Sequence, residues 1–154
     1  FEFYDGVIDG IKKFIEADYK IILVTNQSGI SRGLITIDEL ELIHKKIKDI
    51  LAIENCKFDG IYFCPHLPED ACRCRKPRTG LIELATKDHD IDLSSSYFIG
   101  DRYMDVIAGK DSGMLTILIP EQHCRDKSLL ELKEHKVMPD FICNNFNEAV
   151  DLII

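Results

Sequence analysis

Hydrophobic positions change their spacing several times along this chain, and each change predicts an element. Val7, Ile8, Ile11, Phe14 and Ile15 recur at helical spacing, so an amphipathic helix is expected over 6–18. Lys20–Thr25 (Lys-Ile-Ile-Leu-Val-Thr) has no polar alternation, which predicts a strand buried on both faces. Thr36-Ile-Asp-Glu39 is a capping box opening a helix with the apolar stripe Leu40, Ile43, Ile47, Ile50 and Leu51. Phe58–Phe63 reads as the next strand. Thr79 is placed to cap a helix carrying Leu81, Ile82, Leu84 and Ala85. Tyr97–Ile99 is a short strand ending at Gly100-Asp101, and a helix follows. Leu115–Ile119 is a strand, Ser128–His135 a helix, Asp140–Cys143 a strand, and a last helix starts near Asn147.

Strands alternating with helices predict an α/β fold, a doubly wound parallel sheet covered on both faces, in a single domain over 1–154. Such sheets bind ligands at the carboxyl ends of their strands. Thr25-Asn26-Gln27, the loop after Phe63 and Gly100-Asp101 all fall at those ends, so they should meet in one site.

Composition narrows the partners. The 154 residues carry a net charge of −8, which argues against gripping nucleic acid by bulk charge. No apolar run reaches the roughly 18 residues that span a bilayer, and no signal peptide is visible. The expectation is a cytoplasmic monomer with a small-molecule partner, no nucleic acid and no membrane. Three of the six cysteines, Cys56, Cys124 and Cys143, follow no regular spacing, which favours reduced thiols over a disulfide framework.

The other three cysteines lie in Cys64-Pro-His66-Leu-Pro-Glu-Asp-Ala-Cys72-Arg-Cys74. Three thiolates and an imidazole in one short polar loop form the ligand set of a closed, structural zinc site, with no position open for catalysis. Arg75-Lys76-Pro77 follows directly, so whatever holds the loop also fixes two cations. Those cations can neutralise charge on a transferring phosphoryl group. Thr25-Asn26-Gln27-Ser28-Gly29 offers hydroxyls, amides and unhindered N–H groups, either as a phosphate cradle or as an ordinary polar turn. Asp101 is either an oxygen ligand for Mg²⁺ or a helix N-cap. Asp105, one turn on, either supports that metal through waters or caps local structure.

Taken together, V-T-N-Q-S-G-I-S-R-G, C-P-H…C-R-C-R-K-P and I-G-D-R-Y-M-D resemble the second, third and fourth motifs of the haloacid-dehalogenase-superfamily phosphatases. They look most like its zinc-bearing subgroup, whose members act on a heptose bisphosphate or on histidinol phosphate. The resemblance covers nearly the whole chain. It implies that Thr25 and Lys76 stabilise the phosphoryl group, and that Asp101 binds Mg²⁺. It further implies that Thr25, Asn26, Gln27, Ser28, Arg75, Lys76 and Arg102 contact a small phosphorylated metabolite, and that Cys64, His66, Cys72 and Cys74 hold Zn²⁺. The implied reaction is hydrolysis of D-glycero-β-D-manno-heptose 1,7-bisphosphate at its 7-phosphate through an aspartyl-phosphate, with histidinol phosphate as the alternative substrate. The family's first motif, D-x-D-G-T, has no counterpart here. No buried strand precedes Asp5, and the pattern around Asp5 and Asp9 is helical, so neither is expected to be the nucleophile. Phe1-Glu-Phe-Tyr-Asp-Gly-Val7 resembles the family's sequence just after that motif. The expectation is therefore a domain lacking its first strand and inactive by itself. A non-catalytic phosphate-binding module or a zinc-stapled interaction domain would be the reading if the chain is naturally this short.

Overall fold

A computed structural model describes all 154 residues, Phe1–Ile154. Helix α1 (Val7–Glu16) buries Gly10, Ile11 and Phe14 on its apolar stripe. Strand β1 (Ile22–Asn26) leads through a loop to α2 (Ile37–Ile53), where the Thr36 hydroxyl accepts the Glu39 N–H at 3.1 Å. Strand β2 (Gly60–Cys64) runs into the cysteine loop. Then come α3 (Gly80–His89), β3 (Tyr97–Gly100), α4 (Tyr103–Asp111), β4 (Leu115–Leu118), α5 (Arg125–Glu134), β5 (Phe141–Ile142) and α6 (Phe146–Ile153). No helix is long and apolar enough to cross a membrane.

Every strand pairing is parallel, as the alternation of elements predicts, with β1 beside β2 and β3–β4–β5 in order. The strands nonetheless fall into two separate sheets. Between β1 and β3 lies an apolar cleft of about 370 Å³, lined by Ile22, Leu23 and Val24 on one side and Tyr97, Phe98 and Ile99 on the other. Phe14 of α1 and Phe146 of α6 lie along it, and a second cavity opens between the same two strands on the α3 side. All five residues of β1 and all four of β3 are consequently only half-buried. The expectation that Lys20–Thr25 is enclosed on both faces is corrected by this gap. Strand β4, with neighbours on both edges, buries Thr116, Ile117 and Leu118.

Smaller corrections have local causes. Leu84 is 48 % exposed because it falls on the outer side of α3, while Leu81, Ile82 and Ala85 face in. Ile43, on the rim of the α2 stripe, is 36 % exposed. Thr79 occupies the N-cap position of α3 but does not cap it; its hydroxyl bonds the Glu83 carboxylate at 3.1 Å.

One polar link ties the buried Thr116 of β4 to the segment before β5. The Thr116 N–H and hydroxyl both donate to Asp140 Oδ2, at 2.8 and 3.0 Å, and the Asp140 N–H returns to Thr116 Oγ1 at 3.1 Å. The Thr116 N–H, opposed by some burial and helped by the hydroxyl and Lys110, holds the Asp140 carboxyl below the usual carboxylate range. A carboxyl whose folded-state pKa is depressed stabilises the fold above its unfolded pKa of about 4, and that share is lost as pH falls through the folded value. Asp140→Ala should therefore cost about 1–3 kcal/mol at neutral pH, because it orphans the buried Thr116 groups. Thermal melts of both proteins, each extended upstream by the expected first strand, should show that difference shrinking as pH drops below about 4. An unchanged melting temperature at pH 7 would contradict this account.

Candidate active site

The carboxyl ends of β1, β2 and β3 bring three loops together, and Lys76 stands where they meet. Its ammonium donates to the Val24 carbonyl at 3.1 Å and to Asp105 Oδ1 at 2.7 Å. Both partners in that ion pair are largely enclosed, with side chains 13 % and 8 % exposed. Asp105 Oδ2 accepts the backbone N–H groups of Asp101 and Arg102, at 3.0 and 3.1 Å. One carboxylate thus joins the cation of the second loop to the backbone of the third. Gly100 makes this approach possible, since a Cβ there would sit 2.3 Å from the Asp105 side chain. The sequence left the N-cap open between Asp101 and a capping role for Asp105 one turn on, and Asp105 fills it from inside the first turn.

Asp101 is left without a cationic partner, since Lys76 pairs with Asp105 and Arg102 with Glu131. Desolvation first, then the charges of Asp105 and Glu121, raise its carboxyl above the ordinary value. A carboxylate crowded by like charges, with the neighbouring Arg102 guanidinium drawn away to Glu131, is suited to a divalent cation, and its oxygens are the donors Mg²⁺ prefers.

The cysteine loop also assembles as the spacing predicts. Cys64 Sγ lies 3.4 Å from His66 Nδ1 and 3.6 Å from Cys72 Sγ, and Cys74 Sγ lies 2.9 Å from Cys64 Sγ and 3.2 Å from His66 Nδ1. All four ligand atoms fall within 4.8 Å of one another. Edges of roughly 3–4 Å are what a tetrahedron with metal–sulfur bonds near 2.3 Å requires. Burial and the neighbouring thiols push Cys74 up to about 12. Burial also opposes ionisation of Cys72, but the Arg75 N–H and the adjacent thiols hold it at about 6. Three thiolates this close cannot coexist without a cation, so the donor set fits zinc. Protein purified without chelator should contain about one zinc per chain, and Cys72→Ser should release it, because metal binding and loop folding are coupled. Elemental analysis reading no zinc in the parent protein would exclude the site.

This knot is bonded to its surroundings. The Gln27 N–H donates to the Cys64 carbonyl at 2.7 Å and the Ser31 hydroxyl to the Pro65 carbonyl at 2.7 Å. Arg75 reaches back to the His66 carbonyl at 3.4 Å. The loop after β1 and the cysteine loop therefore form one rigid wall.

The remaining expected site residues divide. Thr25 lies between Val24 and Asn26, both of which bond Lys76, and its hydroxyl takes the Gln27 amide at 3.2 Å. Ser28 Oγ receives Arg32 at 3.4 Å. Arg102 is held by Glu131 of α5 at 2.7 Å and rests over the Tyr103 ring, so its guanidinium is already partnered. The Asn26 amide is likewise engaged, with both polar atoms on the backbone of Lys76. Asp5 and Asp9 are exposed, Asp5 in the turn before α1 and Asp9 in the helix's first turn, beside Gly6 and Gly10, which pack against Asn147 and Phe146. Neither belongs to the Lys76–Asp105 network. The sequence missed Asp105 as the hub, Glu131 as the partner of Arg102 and the engagement of Asn26. Only the spacing Gly100-x₄-Asp105 hinted at the first, because the other two join residues 29 and 50 positions apart.

Known proteins show the same arrangement of sequence and fold. The HAD-hydrolase-like family model matches residues 73–149, half of the chain. The D-glycero-β-D-manno-heptose-1,7-bisphosphate 7-phosphatase of Helicobacter pylori strain 26695 is 37% identical over 155 residues, which is 99% of this chain and 84% of that protein. The corresponding phosphatase of Chlorobaculum tepidum is 34% identical, over 88% of this chain and 72% of its own length. Among solved structures, D,D-heptose 1,7-bisphosphate phosphatase from B. bronchiseptica, complexed with magnesium and phosphate, superposes with a TM-score of 0.86 at 29% identity. That match covers 97% of this chain and 82% of the other.

Proposed function

Because the chain belongs to the haloacid-dehalogenase-like hydrolases, we propose that it is the greater part of a phosphatase acting on D-glycero-β-D-manno-heptose 1,7-bisphosphate at the 7-phosphate. The carrying observation is the placement of the Lys76 ammonium, anchored on both sides of Thr25 and joined through Asp105 to the backbone of Asp101. A phosphoryl group seated there meets the Thr25 hydroxyl and a fixed positive charge. Arg75 is the cation left to reach the rest of the substrate. The names of the relatives support the sugar bisphosphate, and the magnesium and phosphate bound in the B. bronchiseptica enzyme support the metal. Bound at Asp101, Mg²⁺ would supply charge neutralisation at the phosphoryl oxygens. Zinc on Cys64, His66, Cys72 and Cys74 would hold the wall that carries Arg75 and Lys76.

The attacking carboxylate comes, in this reading, from an aspartate at the end of a further strand seated in the cleft between β1 and β3. That strand end would lie beside Thr25 and Gly100, where the phosphoryl group is held. The carboxylate oxygen displaces the sugar oxygen at phosphorus while a second aspartate of the same strand end protonates that oxygen as it leaves. The second aspartate then takes a proton from the water that hydrolyses the aspartyl-phosphate. The unpaired thiols of the chain support a cytoplasmic setting.

The test is phosphate release, with Mg²⁺, by the protein carrying its upstream residues. The heptose bisphosphate should give the highest kcat/KM among sugar bisphosphates and histidinol phosphate. A clear preference for histidinol phosphate would reassign the substrate, and inactivity on all of them would reject the reading.

A further inference from the structure

Resting on that phosphatase reading, we propose that Asn26 is a positioning residue that clamps the backbone of Lys76, and not a ligand of the substrate. Its Oδ1 accepts the Lys76 N–H at 3.0 Å, and its Nδ2 donates to the Lys76 carbonyl at 3.2 Å. One carboxamide therefore closes both backbone groups of a single residue. Among side chains only Asn and Gln carry an uncharged acceptor and donor side by side, and the longer Gln would push the pair apart.

Lys76 needs such a partner. It lies in a turn outside any helix or strand, so no ladder or helical bond serves its backbone. Pro77 follows it and brings no N–H of its own. Asn26, by contrast, is the last residue of β1, in parallel register with the zinc-ligand candidate Cys64, and is fixed by the sheet. The clamp thus transfers the position of β1 directly to Lys76. The Lys76 side chain then returns to Val24, so both ends of the residue are anchored on the two neighbours of Thr25. The cysteine knot restrains the same segment from its other end, at Cys72 and Cys74. With Asn26 removed, the Lys76 backbone would lose its hold on β1 and the ammonium could shift on its remaining bonds to Val24 and Asp105. A displacement of about 1 Å at such a group can lower a rate a hundredfold.

Two measurements decide it. Backbone amide exchange reads the clamp without reference to turnover: in the parent, the protein carrying its upstream residues, the Lys76 N–H should exchange slowly, and at least about tenfold faster in Asn26→Ala, while the β1 amides stay protected. A double-mutant cycle with Lys76→Ala reads its consequence. Asn26→Ala should lower kcat about tenfold or more with KM within about threefold, and should lower it no further once Lys76 is alanine. A raised KM at unchanged kcat would make Asn26 a substrate ligand, and additive losses would break the link to Lys76. Either result overturns the proposal, as does a Lys76 amide indifferent to Asn26→Ala. Should Asn26→Ala not fold, Asn26→Asp carries the test. It keeps the acceptor for the Lys76 N–H but sets a carboxylate against the Lys76 carbonyl, so amide protection should persist while kcat falls without additivity. A parent protein that releases phosphate from no monoester would remove the functional reading, and the exchange result would still decide the clamp.

Discussion

Lys76→Ala should lower turnover of the phosphatase by about a hundredfold or more, the usual loss when one preorganised electrostatic stabiliser is removed. Two effects add. The variant loses the only cation bonded on both sides of the phosphoryl cradle, and it leaves Asp105 without its partner in an enclosed site. An unpaired buried carboxylate beside Asp101 would raise the negative field where an anionic substrate must sit. Arg75→Ala, whose side chain bonds only the His66 carbonyl, should chiefly raise KM. Steady-state kinetics on the heptose bisphosphate separates the two. Near-normal kcat in Lys76→Ala would remove Lys76 from the reaction and with it the placement argued for Thr25.

Filling the cleft between β1 and β3 should change both stability and activity from nearly absent to nearly complete. The two strands face one another with unpaired edges, and the space between them is walled by Ile22, Val24, Tyr97, Phe98, Phe14 and Phe146. A parallel strand needs apolar cover on both faces, and this cleft offers it, with α1 and α6 on one side and α3 on the other. Unpaired backbone and exposed apolar surface over several residues approach the whole stability of a domain, roughly 5–15 kcal/mol. Residues 1–154 alone should melt without cooperativity or aggregate, and release no phosphate from a monoester. Extension by an upstream apolar strand ending in the aspartate pair should restore a sharp melt and magnesium-dependent hydrolysis together. Calorimetry and phosphate release on the two lengths of chain make the comparison. A cooperative melt and full activity from residues 1–154 would show that the cleft needs no strand and would return Asp5 and Asp9 to consideration as nucleophiles.

Local periodicity was sufficient for the elements and their parallel order, because each reports which face of a short segment avoids water. The apolar stripe of α1, the Thr36 cap of α2 and the unbroken run of β1 all lie where their spacing puts them. The cluster of Cys64, His66, Cys72 and Cys74 was legible for the same reason: all four fall within one loop, so sequence spacing and spatial spacing nearly coincide. The convergence of Thr25, Lys76 and Asp101 followed from a rule about strand ends that also needs no long-range detail. Tertiary structure alone decided which polar groups are already partnered. Asn26 faces Lys76 across 50 positions and Arg102 faces Glu131 across 29, distances at which sequence carries no record of hydrogen bonding. It also decided that Asp105, and not Asp101, closes the first turn of α4, since that choice depends on how nearly Gly100 lets a carboxylate approach. Last, it showed the open seam between the two sheets. A strand run records its own hydrophobicity, but the neighbours on its edges are set by the rest of the chain.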